Sequence, residues 1–330
     1  MENTVHRMIG STWVKAVGVV VLMCLFPLFM NENWLSLIIE MLLLALAASA
    51  LNLLLGDCGI VSFGHAGFFG VGAYAFGVLA YYKIVPFGIA FLLGIVAVIL
   101  FAVIAGWFVV RLVEIYFALL CLAFSQIIWV IVSAWYGVTH GDDGLNGIPV
   151  PDWLHSTTNC YYFVLVVVAL CLAGLYLTRE SPFGRSLRAL RDNRTRASAI
   201  GIDIRKHIFI AFVISGLFCG VAGVLLVVHL HCAFPSYVNF IKSGEFLFVC
   251  LLGGMYNYVG PIVGAFLYLF LHHVITRYTE YWPLVLGLGI VLIAIFFRGG
   301  VAGFAIEKMG RFSLSDRILF RLQKKTGTSL

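Results

Sequence analysis

Long apolar runs that contain no charged residue constrain this chain more than any other feature. Residues 42–55 carry no charge, and neither do residues 84–110. About 20 consecutive apolar residues are enough to cross the hydrocarbon of a membrane as one helix. Only 11% of the 330 residues are charged and 62% are hydrophobic, whereas a soluble domain carries about 25% charged residues. The sequence therefore predicts an all-α fold, a single polytopic transmembrane helical bundle over residues 1–330.

The distribution of Lys and Arg predicts how the chain crosses the membrane. Basic residues concentrate at 179–207 and in the tail at 298–330, and such segments stay in the cytoplasm. An even number of crossings must separate them, so the short apolar segment 246–254 must also cross. This topology has about ten membrane segments, with the C-terminus inside and residues 137–159 outside. The other predicted spans are 13–30, 34–55, 66–82, 86–110, 115–136, 160–178, 208–230, 259–277 and 282–297.

Two apolar segments are interrupted by glycines in a similar way. "LLLGDCGIVSFGHAGFFGVGAY" begins at residue 53, and "CLLGGMYNYVGPIVGAFLYLF" begins at residue 250. Such paired interruptions favour an internal repeat with short or broken helices, and non-helical backbone at membrane depth must be buried or line a wet cavity. We therefore hypothesise a translocation pathway beside both breaks. Its candidate residues are Asn52, Gly59, Ser62, Gly64, His65, Gly67, Gly253, Gly254, Gly260 and Gly264.

Simpler interpretations of these segments stay open. Residues 56–67 would be an ordinary cytoplasmic turn between the second and third spans. The segment 246–254 would be the apolar part of a tilted helix that extends further at its polar end. His65 would be a hydrogen-bonded structural side chain, and neither a ligand nor a proton relay.

The basic segment 179–207 has the signals of a cytoplasmic helix. Ser181 followed by Pro182 predicts a capped helix start, and Gly201 predicts its end. The positions expected on one apolar face are Leu187, Leu190, Ala197 and Ile200. A helix of this kind either contacts a partner protein or lies on anionic membrane lipid as an anchor.

Four stretches, in this order, resemble the permease subunits of branched-chain amino-acid ABC importers, and the LivM-type branch fits best. They read "LNLLLGDCGIVSFGHAGFFGVGAY", "GDDGLNGIP", "SPFGRSLRALRDNRTRASAIGIDIRKHIFIAFVISGLFCGVAGVLL" and "LLGGMYNYVGPIVGA". Together they span residues 51–265, about two thirds of the chain. The chain departs from the family pattern at Asp57–Cys58, where small residues are usual, and at 194–198, where acidic and alanine residues are usual.

The resemblance implies a permease that passes branched-chain (hydrophobic) amino acids across the bacterial plasma (inner) membrane. It implies two ABC ATPase subunits, a sister permease subunit and an extracytoplasmic solute-binding protein as partners, and no nucleic acid. ATP hydrolysis would belong to the partners, so no catalytic residue, cofactor or metal is expected, and the sequence holds no G-x-x-x-x-G-K-[ST] phosphate loop. The implied ATPase-coupling residues are Phe183, Gly184, Arg185, Leu187, Arg188, Ala189, Arg191, Ala197, Ala199 and Gly201.

Other functions are alternatives at this point. Related permeases of the same group import urea or short amides. An ion-coupled secondary transporter usually carries buried charges within its spans, and Glu40 is the main candidate here. A membrane enzyme needs convergent acid, base or metal-binding groups, and the eight scattered cysteines form no C-x-x-C pair.

Overall fold

The computed structural model describes residues 30–112 and 114–278, together with 18, 23–28, 284, 287, 288 and 300. The predicted spans 13–30 and 282–297, and the basic tail at 298–330, therefore lie almost entirely outside the described residues. The statements below concern the described part of the chain.

The fold is all-α, as predicted. Eleven α-helices can be named within the described residues: α1 Glu32–Asn52, α2 His65–Tyr81, α3 Phe87–Val109, α4 Glu114–Ala134, α5 Tyr136–Thr139, α6 Thr157–Glu180, α7 Pro182–Asp192, α8 Arg194–Ala199, α9 Ile204–Leu230, α10 Phe240–Gly253 and α11 Gly260–Thr276. A π-helical turn, Leu53–Asp57, continues α1. Two short antiparallel strands, β1 Leu145–Asn146 and β2 Cys232–Ala233, pair Leu145 with Ala233.

In the described part of the chain, five helices are long and apolar enough to cross a membrane: Glu32–Asp57, Phe87–Val109, Ile115–Ala134, Thr157–Glu180 and Ile204–Leu230. The shorter apolar helices His65–Tyr81 and Gly260–Thr276 coincide with two further predicted spans. The predicted bounds 246–254 are wrong. That segment is the end of α10, which has 14 residues and is about 21 Å long, because its polar first turns, with Lys242 and Glu245, are helical as well.

Helices α1 and α9 form the centre of the bundle. Both are mostly buried, whereas α3, α4 and α6 keep most of their surface outward. Helix α9 packs against α1, α2 and α3, and α1 packs against α6 and α11. Small residues allow such close approach between helices in a membrane. At Gly223 of α9, an added Cβ would lie 1.9 Å from the carbonyl oxygen of Phe69 in α2, so the two backbones touch there.

The connections between helices lie at two ends of the bundle. At the basic end, α6 and α7 contact the π-helical turn after α1, and Gly300 lies against Gly254. At the opposite end, β1 pairs with β2 and His155 stacks on His231. Helix α11 ends at Thr276, and Gly300 is back at the basic end. This arrangement agrees with the even number of crossings that the charges require.

We predict that Ser198→Cys is labelled from the cytoplasmic side and Asp142→Cys from the outside. Both side chains are exposed, and they lie at opposite ends of the bundle. The measurement is thiol labelling by a membrane-impermeant maleimide in intact cells and inverted vesicles, with the native cysteines replaced. A label that reaches Ser198→Cys in intact cells would contradict the topology.

Candidate functional site

The break between α1 and α2 is a buried, non-helical connection. After the π-helical turn, residues 58–64 leave the helix, and α2 begins at His65. Asp57 is 2% exposed, while Ser62 and His65 are fully buried. Gly59 and Val61 are exposed, so the turn reaches the surface but keeps these polar groups buried. Buried polar groups require partners, and their partners determine what the break contacts.

His65 is hydrogen-bonded through both ring nitrogens. Its Nδ1 lies 3.1 Å from the Ser62 hydroxyl, and its Nε2 lies 2.7 Å from the Ser215 hydroxyl of α9. Ser215 in turn donates to the carbonyl of Ala50 in α1 at 2.5 Å. His65 therefore joins α1, α2 and α9 as a structural side chain, which is the simpler of the two interpretations of this residue.

Asp57, at the end of the π-helical turn, forms a buried ion pair. The Nε of Arg179, at the end of α6, donates to its Oδ1 at 2.9 Å, and the Nη1 of Arg188 in α7 lies 3.8 Å from the same oxygen. The Nη2 of Arg179 donates to the carbonyl of Tyr256, between α10 and α11, at 2.7 Å. The ion pair of Asp57 and Arg179 thus connects the break after α1 with the basic segment and with the second glycine-interrupted segment.

Arg191 reinforces this junction. Its Nη1 donates to the carbonyl of Gly56 at 2.7 Å, and its guanidinium lies 5.5 Å from the centre of the Tyr256 ring. A Cβ at Gly56 would lie 2.1 Å from the carbonyl oxygen of Met255. The two glycine-interrupted segments therefore touch each other, and the three arginines Arg179, Arg188 and Arg191, here called the arginine cluster, hold them together.

The basic segment forms two helices, whereas the sequence predicted one. The Ser181 hydroxyl accepts a hydrogen bond from the amide of Gly184 at 3.3 Å, which confirms the predicted helix start. Helix α7 ends at Asn193, whose backbone is extended and whose Oδ1 accepts from the amide of Arg196 at 2.9 Å. Asn193 therefore ends one helix and caps the next.

Gly201 ends α8 as predicted. Its φ is +90°, its amide donates to the carbonyl of Ser198 at 3.0 Å, and the amide of Ile202 donates to that of Ala197 at 3.1 Å. This pair of bonds is the glycine-dependent Schellman motif. The expected position of Ile200 on the apolar face is wrong: its side chain is 76% exposed, because the interruption at Asn193 resets the helical periodicity.

Asp203 begins α9 at the end of the basic segment. Its Oδ1 accepts from the backbone amide of Lys206 at 3.1 Å, and this bond holds the pKa of the Asp203 carboxyl below its usual range. His207, one turn into α9, stacks on the ring of Phe183 at 5.6 Å between centroids. The start of α7 thus lies against the start of α9.

The predicted coupling residues divide into an inner and an outer set. Leu187 and Ala197 are buried, and at Gly184 a Cβ would lie 2.0 Å from the carbonyl oxygen of Arg179. Arg188 and Arg191 bind the protein's own break, as described above. Phe183 and Ala189 are partly exposed, whereas Arg185, Ala199 and Gly201 are exposed. Ile200, which was not among the predicted coupling residues, is exposed beside them and is included in the outer set. The outer set is the surface that a partner can reach.

Most of the glycines predicted for the pathway lie where backbones meet. Each would place a Cβ too close to another segment: Gly59 against Arg191, Gly64 against the Cys121 carbonyl, Gly67 against Ser125, Gly253 against the Gly260 carbonyl, Gly260 against the Gly254 carbonyl, and Gly264 against the Val249 carbonyl. Gly59 and Gly254 also have φ values of +71° and +106°. The contacts explain why glycine occupies these positions, and a pathway role for them stays a prediction.

Asn52, the first predicted pathway residue, lies beside the ion pair. It lines a cavity of about 10 Å³ together with Ser49, Asp57 and Arg179. The Asn52 Oδ1 and the Ser49 hydroxyl are buried without a hydrogen-bond partner among the described residues. These two groups are polar and face the junction that the arginine cluster forms.

Sequence reasoning missed the ion pair itself. Asp57 was noted as a departure from the family pattern, and Arg179 counted only as a positive charge for topology. They are 122 residues apart in the sequence, so no local sequence pattern predicts their contact. Among the described residues, no group of three or more His, Cys, Asp or Glu side chains is placed to hold a metal ion.

We predict that Asp57→Asn lowers the free energy of unfolding by about 3 kcal/mol, because the Arg179 guanidinium is left without its countercharge in a buried place. The matched control is Asp192→Asn. Asp192 pairs with Arg191 but its side chain is 70% exposed, so its loss costs less than about 1 kcal/mol. Thermal unfolding of the purified protein in detergent measures both. Equal stabilities of the two variants would contradict the role given to Asp57.

Curated relatives match the chain to different extents. It is 25% identical over 323 residues to the high-affinity branched-chain amino acid transport system permease protein LivM of Escherichia coli (strain K12), which covers 88% of this chain and 75% of LivM. It is 28% identical over 139 residues to the xylose transport system permease protein XylH of Haemophilus influenzae, 40% of this chain and 37% of XylH. No solved structure matches.

A second partial match is the autoinducer 2 import system permease protein LsrC of Photorhabdus laumondii, 26% identical over 181 residues and half of each chain. The family described as "Branched-chain amino acid transport system / permease component" matches residues 33–295. These residues include every helix described above except the first residue of α1. The chain belongs to this family of ABC transporter permeases.

Proposed function

We propose that this protein is the transmembrane permease subunit of an importer for branched-chain amino acids. The observation that carries the proposal is the extent of the LivM match, 88% of the chain. The xylose and autoinducer 2 permeases match 40% and 50% of it. A permease of this family is not itself an enzyme, and ATP hydrolysis belongs to its partner subunits. The partners we propose are two ABC ATPase subunits, a sister permease and an extracytoplasmic solute-binding protein.

We propose that the outer set of the basic segment contacts an ATPase. Arg185, Ala199, Ile200 and Gly201 are exposed together at the basic end, where a partner protein can reach them. A lipid anchor would instead turn its apolar side chains together toward the membrane, yet Leu187 and Leu190 are buried in the protein. The arrangement therefore supports a protein partner.

Movement of the basic segment would reach the pathway through the arginine cluster. Arg191 holds the carbonyl of Gly56, and Arg179 holds both Asp57 and the carbonyl of Tyr256. A displacement of α7 by a bound ATPase would therefore pull on the end of α1 and on the connection between α10 and α11. These are the two breaks that the sequence predicted beside the pathway.

The substrate is tested by uptake into proteoliposomes that contain the complete assembly with the solute-binding protein. We predict ATP-dependent uptake of labelled leucine, isoleucine and valine, and none with a non-hydrolysable ATP analogue. Xylose and urea are the matched probes for the alternative substrates. ATP-dependent uptake of either, without uptake of the amino acids, would contradict the proposed substrate. Uptake driven by an ion gradient without ATP would contradict the transporter class.

For coupling, we predict that Arg185→Glu abolishes both co-purification of the ATPases and uptake, because it places a negative charge in the exposed basic surface. Stability should change by less than about 0.5 kcal/mol, as for other surface substitutions. Lys83→Glu is the control, since Lys83 is also exposed but follows α2 at the opposite end. Normal uptake by Arg185→Glu with ATPases bound would contradict the contact. Arg188 and Arg191 are poorer test sites, because their removal also disturbs the break.

A further inference from the structure

A polar cleft opens at the end of the bundle opposite the basic segment. It lies between the first turns of α1 and α10 and the last turns of α11, and its volume is about 480 Å³. That volume is within the range of sites that bind small molecules, about 300–1,000 Å³. The residues that line it include Asn33, Glu40, Lys242, Glu245, Tyr268 and His272.

The cleft carries an excess of one negative charge. The Nζ of Lys242 lies 2.8 Å from Oε2 of Glu245, and their side chains are 27% and 17% exposed. Glu40 makes no hydrogen bond or ion pair with the described residues, although the charges of Lys242 and Glu245 act on it. Two carboxylates therefore face one ammonium group.

Glu40 lies deep in the cleft. It is eight residues after Glu32, the first residue of α1, which corresponds to about 12 Å along the helix axis. It is half-buried, on the most buried of the five long helices. A carboxylate at such a depth in a span is costly and marks a functional group. A ligand with a compensating positive charge would offset that cost.

We propose that this cleft binds an amino acid as it enters the permease, with its ammonium group on the carboxylate of Glu40. The proposal rests on the proposed function. The ammonium of Lys242 is paired with Glu245. It carries three N–H donors, and those that Glu245 does not use can donate to the carboxylate of a zwitterion in the same space. A sugar or an uncharged amide would leave the charge of Glu40 unmatched. The cleft therefore favours the amino-acid substrate over both alternatives.

The opposite end is also where a solute arrives if the basic end is cytoplasmic. The mouth of the cleft is formed by Asn33 and by His272, which lie near the outer ends of α1 and α11. Tyr268, which is 8% exposed, lies one turn further in. The polar groups thus continue from the mouth of the cleft to Glu40.

The first test compares leucine uptake by the complete assembly in proteoliposomes. Glu40→Gln keeps the shape and removes the charge, and Glu32→Gln makes the same change at an exposed position on the same helix. We expect Glu40→Gln to lower uptake at subsaturating leucine at least tenfold, as the loss of a charge-assisted hydrogen bond predicts. Glu32→Gln should be unchanged. Equal uptake by the two variants would overturn the proposal. The proposal would also be overturned if the sister permease no longer co-purified with the Glu40→Gln variant, because Glu40 would then be an interface residue.

The second test measures displacement of tritiated leucine from the assembly in nanodiscs, without the solute-binding protein. The competitors are leucine and 4-methylpentanoate, which is leucine without its amino group. We expect 4-methylpentanoate to compete at least tenfold more weakly with the wild type, and Glu40→Gln to bind leucine at least tenfold more weakly. Equal competition by the two compounds would overturn the assignment of Glu40 to the ammonium group.

Failure of the proposed function gives a different experimental result from failure of the proposed cleft. Wild-type proteoliposomes would then import no branched-chain amino acid, whatever residue stands at position 40. In that case, saturation binding of tritiated glycine, serine and lysine to the same nanodiscs tests whether the cleft binds an amino acid. Binding that Glu40→Gln weakens tenfold would support the cleft for another amino acid, and no binding of any of them would overturn it.

Discussion

The ion pair between Asp57 and Arg179 is the interaction on which the arrangement of the basic end depends. Both groups are buried, at 3% and 11% exposure of their side chains. A buried charge is strongly destabilising when its partner is lost, so the end of α1 cannot move away from the end of α6 without exposing both groups to water or separating them. The π-helical turn, the connection to α2 and the start of α7 all follow from that position.

Arg179 and Arg191 extend this single contact to backbone carbonyls. A guanidinium carries several donors in a planar group, and here those donors reach Gly56 and Tyr256 as well as the carboxylate. Both acceptors are carbonyls at breaks, where no helical hydrogen bond uses them. Glycine contacts complete the junction, since Gly56 lies directly against Met255. The basic segment is therefore attached to two places where helices are interrupted, which are the places most able to change shape.

The two ends of the bundle have different chemistry. At the basic end, arginines face inward to carbonyls and one carboxylate, and an exposed surface with Ile200 faces outward. At the opposite end, the cleft holds Glu40 with the pair of Lys242 and Glu245. Helix α1 and the π-helical turn that continues it join the two ends, with Glu40 eight residues after the first residue of α1 and Asp57 at the end of the turn. A force on the basic segment and a ligand in the cleft would thus act on the same buried helix.

Much of the fold follows from local physical chemistry and can be predicted from the sequence. Apolar runs with few charges predicted the spans, because hydrocarbon requires them. Ser181, Pro182 and Gly201 set helix ends through their own backbone and side-chain chemistry. The parity of crossings predicted that α10 crosses, although its polar first turns hid its true length. Asn193 was missed because an Asn within a helical pattern is a cap only when its own backbone is extended.

The sequence by itself determined the membrane class, most of the spans in the described part of the chain, the basic segment and the family. Each of these depends on composition, on spacing or on residues within a few positions of one another. Only the tertiary structure decided that Asp57 meets Arg179, that the two glycine-interrupted segments touch, and that Glu40 shares a cleft with Lys242 and His272. These contacts join residues that are far apart in the chain, and their geometry is fixed by how the helices pack, which a hydrophobic pattern does not specify.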